Sequence, residues 1–195
     1  MLKKYFKSKT KFGLALNILT VLLIVLLLIP STRKDVAALL LRPTRFIHQP
    51  KVNSDKPILN PETYQWKVES LDGDVVKLKH LNDKVIFINL WATWCPPCIA
   101  EMPDLQKLYD EYKDEVHFLF VSNEADEKLI DFMESKGYTL PVYSPRSQYP
   151  QQLATNTLPT TFIISKKGEI VVNKKGLAQW NSRKVKNILD ILIKQ

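Results

Sequence analysis

The stretch "NLWATWCPPCIAEMP", residues 89–103, contains both cysteines of the 195-residue chain. Cys95 and Cys98 are separated only by Pro96 and Pro97. A disulfide that closes so short a loop removes little entropy from the unfolded chain, so stability alone does not explain the spacing. The pair therefore indicates either a metal site or a redox-active dithiol.

The residues around the cysteines predict a strand-to-helix turn. Lys84–Leu90 is nearly continuous in apolar β-formers, as in a strand buried on both faces, and Pro97–Tyr112 has helical spacing of apolar residues. Pro96 suits a first helical position, and the free N–H groups at a helix N-terminus favour a thiolate at Cys95. We expect the turn to expose Cys95, while Cys98, one turn further on, can attack a mixed disulfide at Cys95 and release its partner.

The remaining residues predict an alternation of strands and helices. Such an order implies parallel strand pairing with right-handed crossovers. A polar loop is predicted around Pro145 and Pro150. The other predicted elements are a hairpin turning at 71–73, a strand at Val116–Ser122, a helix at Glu127–Lys136 capped by Gly137, a hairpin turning at 166–168, and a helix at Ser182–Ile193 with Ser182 or Asn181 as its N-cap.

A metal site is the weaker interpretation of the cysteine pair. Structural zinc sites use four Cys or His ligands, and the chain has only His48, His80 and His117 besides its two cysteines. His48 falls in a predicted spacer and His117 in a predicted buried strand, so no metal site is predicted. A Cu(I) carrier stays open, because two thiolates suit Cu(I).

The N-terminal residues predict a membrane anchor. Five lysines lie within residues 1–11, and residues 12–29 carry no charge. A helix of that length reaches roughly 27 Å, close to the thickness of the hydrocarbon core of a bilayer. A cleaved signal peptide is the alternative, but residues 28–32 (LIPST) lack a small-residue cleavage pattern. We expect a cytoplasmic basic tail at 1–11, a transmembrane anchor at 12–29, and the following domain across the membrane.

The charge distribution supports this division of the chain. The formal net charge is +8, and all of the excess lies in residues 1–45, since residues 46–195 carry equal numbers of basic and acidic side chains. A neutral domain offers no electrostatic footprint for nucleic acid, so no nucleic-acid partner is predicted. Residues 43–61 contain four prolines among polar residues, which predicts a semi-extended spacer. Residues 30–61 are thus predicted as a juxtamembrane segment and Pro-rich linker, and residues 62–195 as the domain.

Several motifs together resemble the thioredoxin superfamily: WCPPC after a strand, Pro103 eight residues beyond the first cysteine, and "TLPTTF" at 157–162. The stretch at 89–103 in particular resembles the membrane-anchored TlpA/ResA-like thiol-disulfide oxidoreductases. The resemblance runs from Tyr64 to the C-terminus. It implies an α/β, thioredoxin-like fold: a central mixed sheet flanked by helices, with an N-terminal β-hairpin extension and one preceding transmembrane helix.

The resemblance also implies a cis-proline close to the cysteines. Pro159, between Leu158 and Thr160, would face Cys95 and Cys98. Its backbone would then lie where an extended segment of a client protein can pair with it.

Further site residues follow from the resemblance. Glu101, three residues after Cys98, would take and return the proton of that thiol. Asn89 stands where thioredoxin has a buried aspartate, and an amide cannot transfer the proton, which moves this role to Glu101. Trp94 resembles the family tryptophan that packs against the active site and contacts the client. Trp180 is interpreted as packing in the loop before the last helix.

The sequence therefore predicts a dithiol reductase without cofactor, with Cys95 as nucleophile and Cys98 as resolving thiol. The resemblance implies client proteins with disulfides, such as those of cytochrome c maturation or copper sites, and a membrane-embedded electron donor. We expect the protein to be a monomer. The resemblance also implies a single-pass protein of the bacterial inner membrane whose catalytic domain is periplasmic. The CPPC loop lacks two N–H donors, which favours a reducing protein. A disulfide oxidase or isomerase and a non-catalytic Cu(I) carrier are the alternatives.

Overall fold

The computed structural model describes residues 11–195. The predicted basic tail, apart from its last residue, lies outside the described residues. Helix α1 spans Lys11–Leu28, α2 spans Pro30–Leu41, and a 3₁₀ helix follows at Arg42–Ile47. Within the described part of the chain, no helix combines the length and the apolar character needed to cross a bilayer. The transmembrane helix predicted at 12–29 is therefore not confirmed.

The domain that follows is built on one seven-stranded sheet in the order β2-β1-β5-β4-β3-β6-β7. The strands are β1 Lys67–Ser70, β2 Val75–Lys77, β3 Val85–Leu90, β4 Val116–Val121, β5 Val142–Pro145, β6 Thr160–Ile164 and β7 Ile170–Lys175. The helices are α3 Pro61–Tyr64, α4 Pro96–Tyr112, α5 Asp126–Lys136 and α6 Arg183–Ile193, and a second 3₁₀ helix lies at Leu78–Leu81.

The sheet is mixed, as predicted. β3 pairs in parallel with β4 and antiparallel with β6, while β4 pairs in parallel with β5. The hairpin of β1 and β2 adds to β5 through an antiparallel pairing, which confirms the predicted N-terminal hairpin extension. The strand β5 lies where a polar loop was predicted.

Strand β3 lies at the centre of the core and is buried on both faces. Val85 and Phe87 face an apolar cluster that includes residues of α4, α5 and α6. Ile86 and Ile88 face a second cluster on the opposite side of the sheet. The period of two in a strand thus sends alternate residues of one apolar run into both clusters, as the sequence pattern predicts. This burial holds the end of β3, and with it the cysteine turn, in a fixed position.

The predicted juxtamembrane segment and the start of the predicted spacer are instead packed on the domain. Ala38 of α2 is buried in the cluster that contains α4. Asp35 of α2 accepts a hydrogen bond from Lys136 at 2.9 Å, and Arg45 Nη1 lies 3.3 Å from Asp104 Oδ1 on α4. These contacts join the N-terminal segment to α5 and to α4, the helix that carries the cysteines.

The proline-containing part of the spacer pairs with the open edge of the sheet. The Asn53 N–H donates to the Val171 carbonyl at 2.8 Å, and the Ile170 N–H donates to the Pro57 carbonyl at 2.8 Å. β7 is an edge strand, and its outer backbone groups need partners. A proline lacks an N–H but keeps its carbonyl, so a Pro-rich segment can still satisfy such an edge.

Candidate active site

The two cysteines lie at the N-terminus of α4 and are joined as a disulfide. Cys95 is the N-cap residue, with extended backbone, and Pro96 occupies the first turn. The N–H of Cys98 donates to Cys95 Sγ at 3.3 Å. The sequence places a buried strand, a tight turn and a helix start in succession. Pro96 and Pro97 have no N–H, so the Cys98 N–H is the first backbone donor of the helix, and it donates to the Cys95 sulfur.

Burial at the turn differs from the sequence-based expectation. Cys95 is only 3% exposed and Cys98 is fully buried, whereas Trp94 is 62% exposed. Cys95 was expected to stand out at the turn, but the adjoining segments enclose it on several sides. Its access is through a cleft rather than through the outer surface.

That cleft has a volume of about 740 Å³ and is lined by Cys95 and Trp94. Its remaining walls come from the ends of β3 and β4 and from the chain before β6, including Ser122, Tyr149, Asn156 and Leu158. The lining combines aromatic rings, hydroxyl groups and amides with few charges. Such a surface suits an uncharged, extended peptide segment better than an ionic ligand.

The segment before β6 forms one wall of the cleft through a cis peptide bond. The bond between Leu158 and Pro159 is cis, the conformation that the resemblance implies. Thr160 is buried, and its hydroxyl donates to the Thr157 carbonyl at 2.7 Å. Leu158 and Cys95 line the same cleft, so the backbone before β6 and the reactive sulfur face a common space.

Glu101 lies one turn beyond Cys98 on α4 and is completely buried. Asn89 Nδ2 donates to its Oε1 at 3.0 Å. The other oxygen, Oε2, accepts from the Trp180 indole N–H at 3.0 Å and from the Ala178 N–H at 3.3 Å. Three N–H donors from β3 and from the chain after β7 therefore converge on one carboxyl group.

The surroundings of Glu101 raise the pKa of its carboxyl group. Burial raises its pKa from 4.5 to about 8, while the hydrogen bonds from Trp180, Asn89 and Ala178 and the charge of Lys174 act in the opposite direction. Burial disfavours the carboxylate, and the donors favour it. The balance leaves a carboxyl group that can both give and take a proton near neutral pH.

Two of these contacts were not predicted from the sequence. Asn89 was interpreted only as the replacement of an acid, yet it touches Glu101 and also donates to Thr161 Oγ1 at 2.8 Å. Trp180 was interpreted as loop packing, yet its indole binds the same carboxyl. Trp180 is 79 residues from Glu101 in the sequence, and no local pattern signals such a contact. The one sign in the sequence that Asn89 has a buried polar partner is that it is a polar residue within the apolar run of β3.

The described residues contain no group of three or more His, Cys, Asp or Glu side chains arranged to hold a metal ion. The site brings together two sulfurs, a buried carboxyl and the peptide groups of the cleft.

Solved structures confirm the fold. The chain is similar to a DsbF homologue from Corynebacterium diphtheriae, with a TM-score of 0.54 and 24% identity over 68% of this chain and 92% of that chain. This similarity shows the thioredoxin-like architecture.

Sequence relatives share a larger fraction of identical residues with the chain than this solved structure does. The chain is 36% identical over 113 residues to the thiol-disulfide oxidoreductase ResA of Halalkalibacterium halodurans, a match that covers 56% of this chain and 64% of that protein. It is 33% identical over 122 residues to the ResA of Bacillus thuringiensis strain Al Hakam, covering 61% of this chain and 70% of that protein. The match thus spans less than two thirds of the first relative's length.

The Redoxin family profile matches residues 58–192, which is more than half of the chain and contains the whole sheet, the cysteine turn and Glu101. The chain belongs to the Redoxin family, and within the thioredoxin superfamily it is of the ResA- and TlpA-like type.

Proposed function

We propose that this protein is a thiol-disulfide oxidoreductase that reduces disulfides in client proteins. The observation that carries the proposal is the Cys95–Cys98 disulfide on a helix N-terminus, one turn from a buried Glu101 whose pKa is raised to about 8. The names of the ResA relatives support the same activity.

In the first step the reduced protein acts through Cys95. Its thiolate, stabilised by the N–H of Cys98, attacks one sulfur of the client disulfide. The client S–S bond breaks, a mixed disulfide forms between Cys95 and the client, and the second client sulfur leaves as a thiolate that takes a proton from solvent.

In the second step Cys98 resolves the mixed disulfide. Its thiol gives its proton to the Glu101 carboxylate and attacks Cys95 Sγ. The mixed disulfide breaks, the client leaves as a dithiol after protonation, and the Cys95–Cys98 disulfide forms. Two electrons have passed to the client, so a dithiol donor must reduce the protein before the next cycle.

The cleft is the proposed binding site for the client. An extended client segment would lie between Trp94 and the chain around Leu158, both of which line the cleft with Cys95. The cis bond before Pro159 shapes this wall. Backbone pairing with an extended segment is tolerant of sequence, so it suits a protein that must reach a cysteine in a client strand.

The proposed clients are proteins of cytochrome c maturation or of copper sites, and the proposed electron donor is embedded in the membrane. Both follow from the likeness to the ResA- and TlpA-like proteins. We propose that the protein acts as a monomer, since the dithiol, the carboxyl and the cleft all belong to one chain.

We further propose that the protein is held at the bacterial inner membrane by residues 12–29, with its catalytic domain on the periplasmic side. The sequence supports this placement through an uncharged run behind five lysines. Reporter fusions after Lys51 test it, and reporters that are active only in the cytoplasm would contradict it. Exposed apolar side chains on α1 also support it, among them Leu14, Leu16, Ile18, Leu19, Val21 and Leu22.

Serine variants of the two cysteines test the proposed reaction. We expect Cys95→Ser to abolish reduction of a disulfide-containing peptide, because the attacking sulfur is lost. We expect Cys98→Ser to accumulate a mixed disulfide, because only the resolving thiol releases the client. Mass spectrometry of non-reduced samples distinguishes these states, and equal activity of the two variants would rule the mechanism out.

A measured reduction potential tests the direction of electron flow. Equilibration in buffers with different ratios of reduced to oxidised glutathione gives the fraction of the protein that carries the Cys95–Cys98 disulfide at each ratio. A potential well below that of glutathione supports the reductase assignment. A potential well above it would assign the protein as an oxidase instead.

A further inference from the structure

The loop between β7 and α6, residues 176–182, contacts three separate parts of the site. The Gly176 N–H donates to the Pro159 carbonyl at 2.8 Å, next to the cis bond. Ala178 and Trp180 both donate to Glu101 Oε2. Gln179, between them, donates from its N–H to the His48 carbonyl at 3.1 Å. Residues of this β7–α6 loop therefore reach the backbone at the cis bond, the buried carboxyl and the N-terminal segment.

We propose that Trp180 is a positioning residue whose indole N–H, together with the Ala178 N–H, stabilises the ionised form of Glu101 and so fixes the pH at which mixed disulfides are resolved. This inference rests on the proposed function, because it assigns a purpose to the protonation state of Glu101. It adds the β7–α6 loop to the acid-base machinery of the site.

The alternative explanation of the Trp180–Glu101 contact is that every buried indole N–H in this protein has a hydrogen-bond acceptor. Two other tryptophans argue against it. The indole nitrogens of Trp66 and Trp91 are buried and have no hydrogen-bond partner among the described residues. Burial alone therefore does not bring an acceptor to an indole in this protein. At Trp180 an ionisable acceptor is present, and a backbone N–H two residues away donates to the same oxygen.

The charged and titratable groups that face Glu101 are few. Lys174 on β7 contributes a positive charge that favours the carboxylate. Cys95 and Cys98 lie on the same helix, and from β3 the neighbouring polar group is the amide of Asn89, which does not titrate. Trp180 is the first among the groups that oppose the effect of burial on the pKa of Glu101. Loss of its N–H should therefore move the titration of Glu101 to higher pH.

Infrared difference spectroscopy of the full chain reads the titration of Glu101 directly. The carbonyl band of a protonated buried carboxyl is followed against pH and assigned by its loss in Glu101→Gln. In Trp180→Phe we expect the midpoint to rise from about 8 by about one pH unit, the scale of one hydrogen bond to a charged group. Trp66→Phe is the matched control, because it removes a buried indole N–H for which the described residues provide no partner, and its midpoint should equal that of the wild type.

A second variant covers the possibility that Trp180→Phe does not fold. Replacement of Trp180 by β-(3-benzothienyl)alanine keeps the bicyclic ring and its edge contact with Phe87 but removes the donor. An unchanged Glu101 midpoint in this folded variant would overturn the proposal. An upward displacement of the midpoint by about one pH unit would support it.

Kinetics separate this proposal from the proposed function. If the protein resolves mixed disulfides, the pH at which the resolution rate rises should follow the infrared midpoint in each variant. If the protein reduces no disulfide, the proposed function fails while the infrared titration still decides the role of Trp180. A displaced midpoint with an unmoved rate profile would show that Trp180 acts on Glu101 but not on the reaction, and would overturn the second half of the inference.

Discussion

Arg45 and Asp104 form an ion pair between the N-terminal segment and α4, with Arg45 Nη1 3.3 Å from Asp104 Oδ1. Both side chains are largely buried, at 18% and 8% exposure. Burial raises the pKa of Asp104, while the charges of Arg45, Lys107 and Arg42 oppose that rise. The helix that carries the cysteines is therefore held by residues that lie before the domain predicted from the sequence.

Arg45→Ala should destabilise the domain, because it leaves Asp104 buried without its closest cation. We expect a loss of about 1–3 kcal/mol in the free energy of unfolding at neutral pH, between the values for exposed and fully buried pairs. The loss should shrink as the pH falls through the pKa of Asp104, since a protonated carboxyl needs no partner. Urea unfolding at several pH values measures both effects.

Arg146→Ala is the control for this prediction. Arg146 forms an ion pair with Glu69, but its side chain is about half exposed. Removal of such a pair should cost less than about 1 kcal/mol. Equal losses in the two variants would show that the contact between the 3₁₀ helix and α4 contributes nothing beyond a surface pair.

The sequence predicted those elements whose pattern is local. The apolar run of β3, the spacing of α4 and the glycine at the end of α5 were recognised correctly, and Gly137 does adopt a left-handed conformation with φ of 66°. β5 was missed, because it has only four residues and gains its stability from pairing with β1 and β4. The packing of the spacer was missed for the same physical reason: its partners are the edge of β7 and the surface of α4, both distant in sequence.

Gly168→Ala tests the packing of the chain before β1 against the turn between β6 and β7. Gly168 has φ of 78°, and an added Cβ would overlap the hydroxyl of Tyr64. Gly73→Ala is the matched control, because Gly73 has φ of 92° and no atom of residues 11–195, apart from Gly73 and its two chain neighbours, lies within 4 Å of an added Cβ. We expect Gly168→Ala to cost about 1–3 kcal/mol more than Gly73→Ala, the scale of overpacking. The additional change Tyr64→Phe should recover part of that difference in thermal unfolding.

Trp94→Ala should weaken client binding without destabilising the fold. Trp94 is highly exposed at the rim of the cleft, so its removal should change the free energy of unfolding by less than about 0.5 kcal/mol. The KM for a disulfide peptide should rise by about tenfold, the effect of losing a moderate contact residue. Ile191→Ala removes an equally exposed apolar side chain from α6 and should leave KM unchanged. An unchanged KM in Trp94→Ala would place the client elsewhere.

The candidate site was predictable to the extent that its residues lie in one segment. The cysteines and Glu101 follow one another at the start of α4, and the family resemblance of that segment was enough to propose that they act together. Asn89 and Trp180 reach the same carboxyl from β3 and from the β7–α6 loop. Which side chains surround a buried carboxyl is decided by the sheet order and by helix packing, and neither leaves a pattern in the sequence.

Glu101→Gln should flatten the pH dependence of stability of the oxidised protein. The pKa of Glu101 is raised from 4.5 to about 8, so between these values the folded chain holds a proton that the unfolded chain has released. The free energy of unfolding of the wild type should therefore fall as pH rises through this window, by up to about 1.4 kcal/mol per pH unit. Glutamine does not titrate, and the variant should lack this decline in chemical unfolding between the two pH values.

The same substitution should slow the resolution of mixed disulfides. Glutamine keeps the shape of Glu101 but cannot accept the Cys98 proton, so we expect the rate to fall by about 10²-fold, the low end of general acid-base contributions. In the wild type the rate should rise as Glu101 ionises near pH 8, whereas the variant should gain rate only where solvent removes the thiol proton. Stopped-flow release of a labelled peptide from about pH 5 to about pH 10 measures both profiles, covering the pKa range of the groups involved. Glu111→Gln, on the exposed side of the same helix, should behave as the wild type. If the Glu101→Gln variant coincided with the wild type in rate and in pH dependence, Glu101 would be removed from the mechanism and its three N–H donors would have a purely structural role.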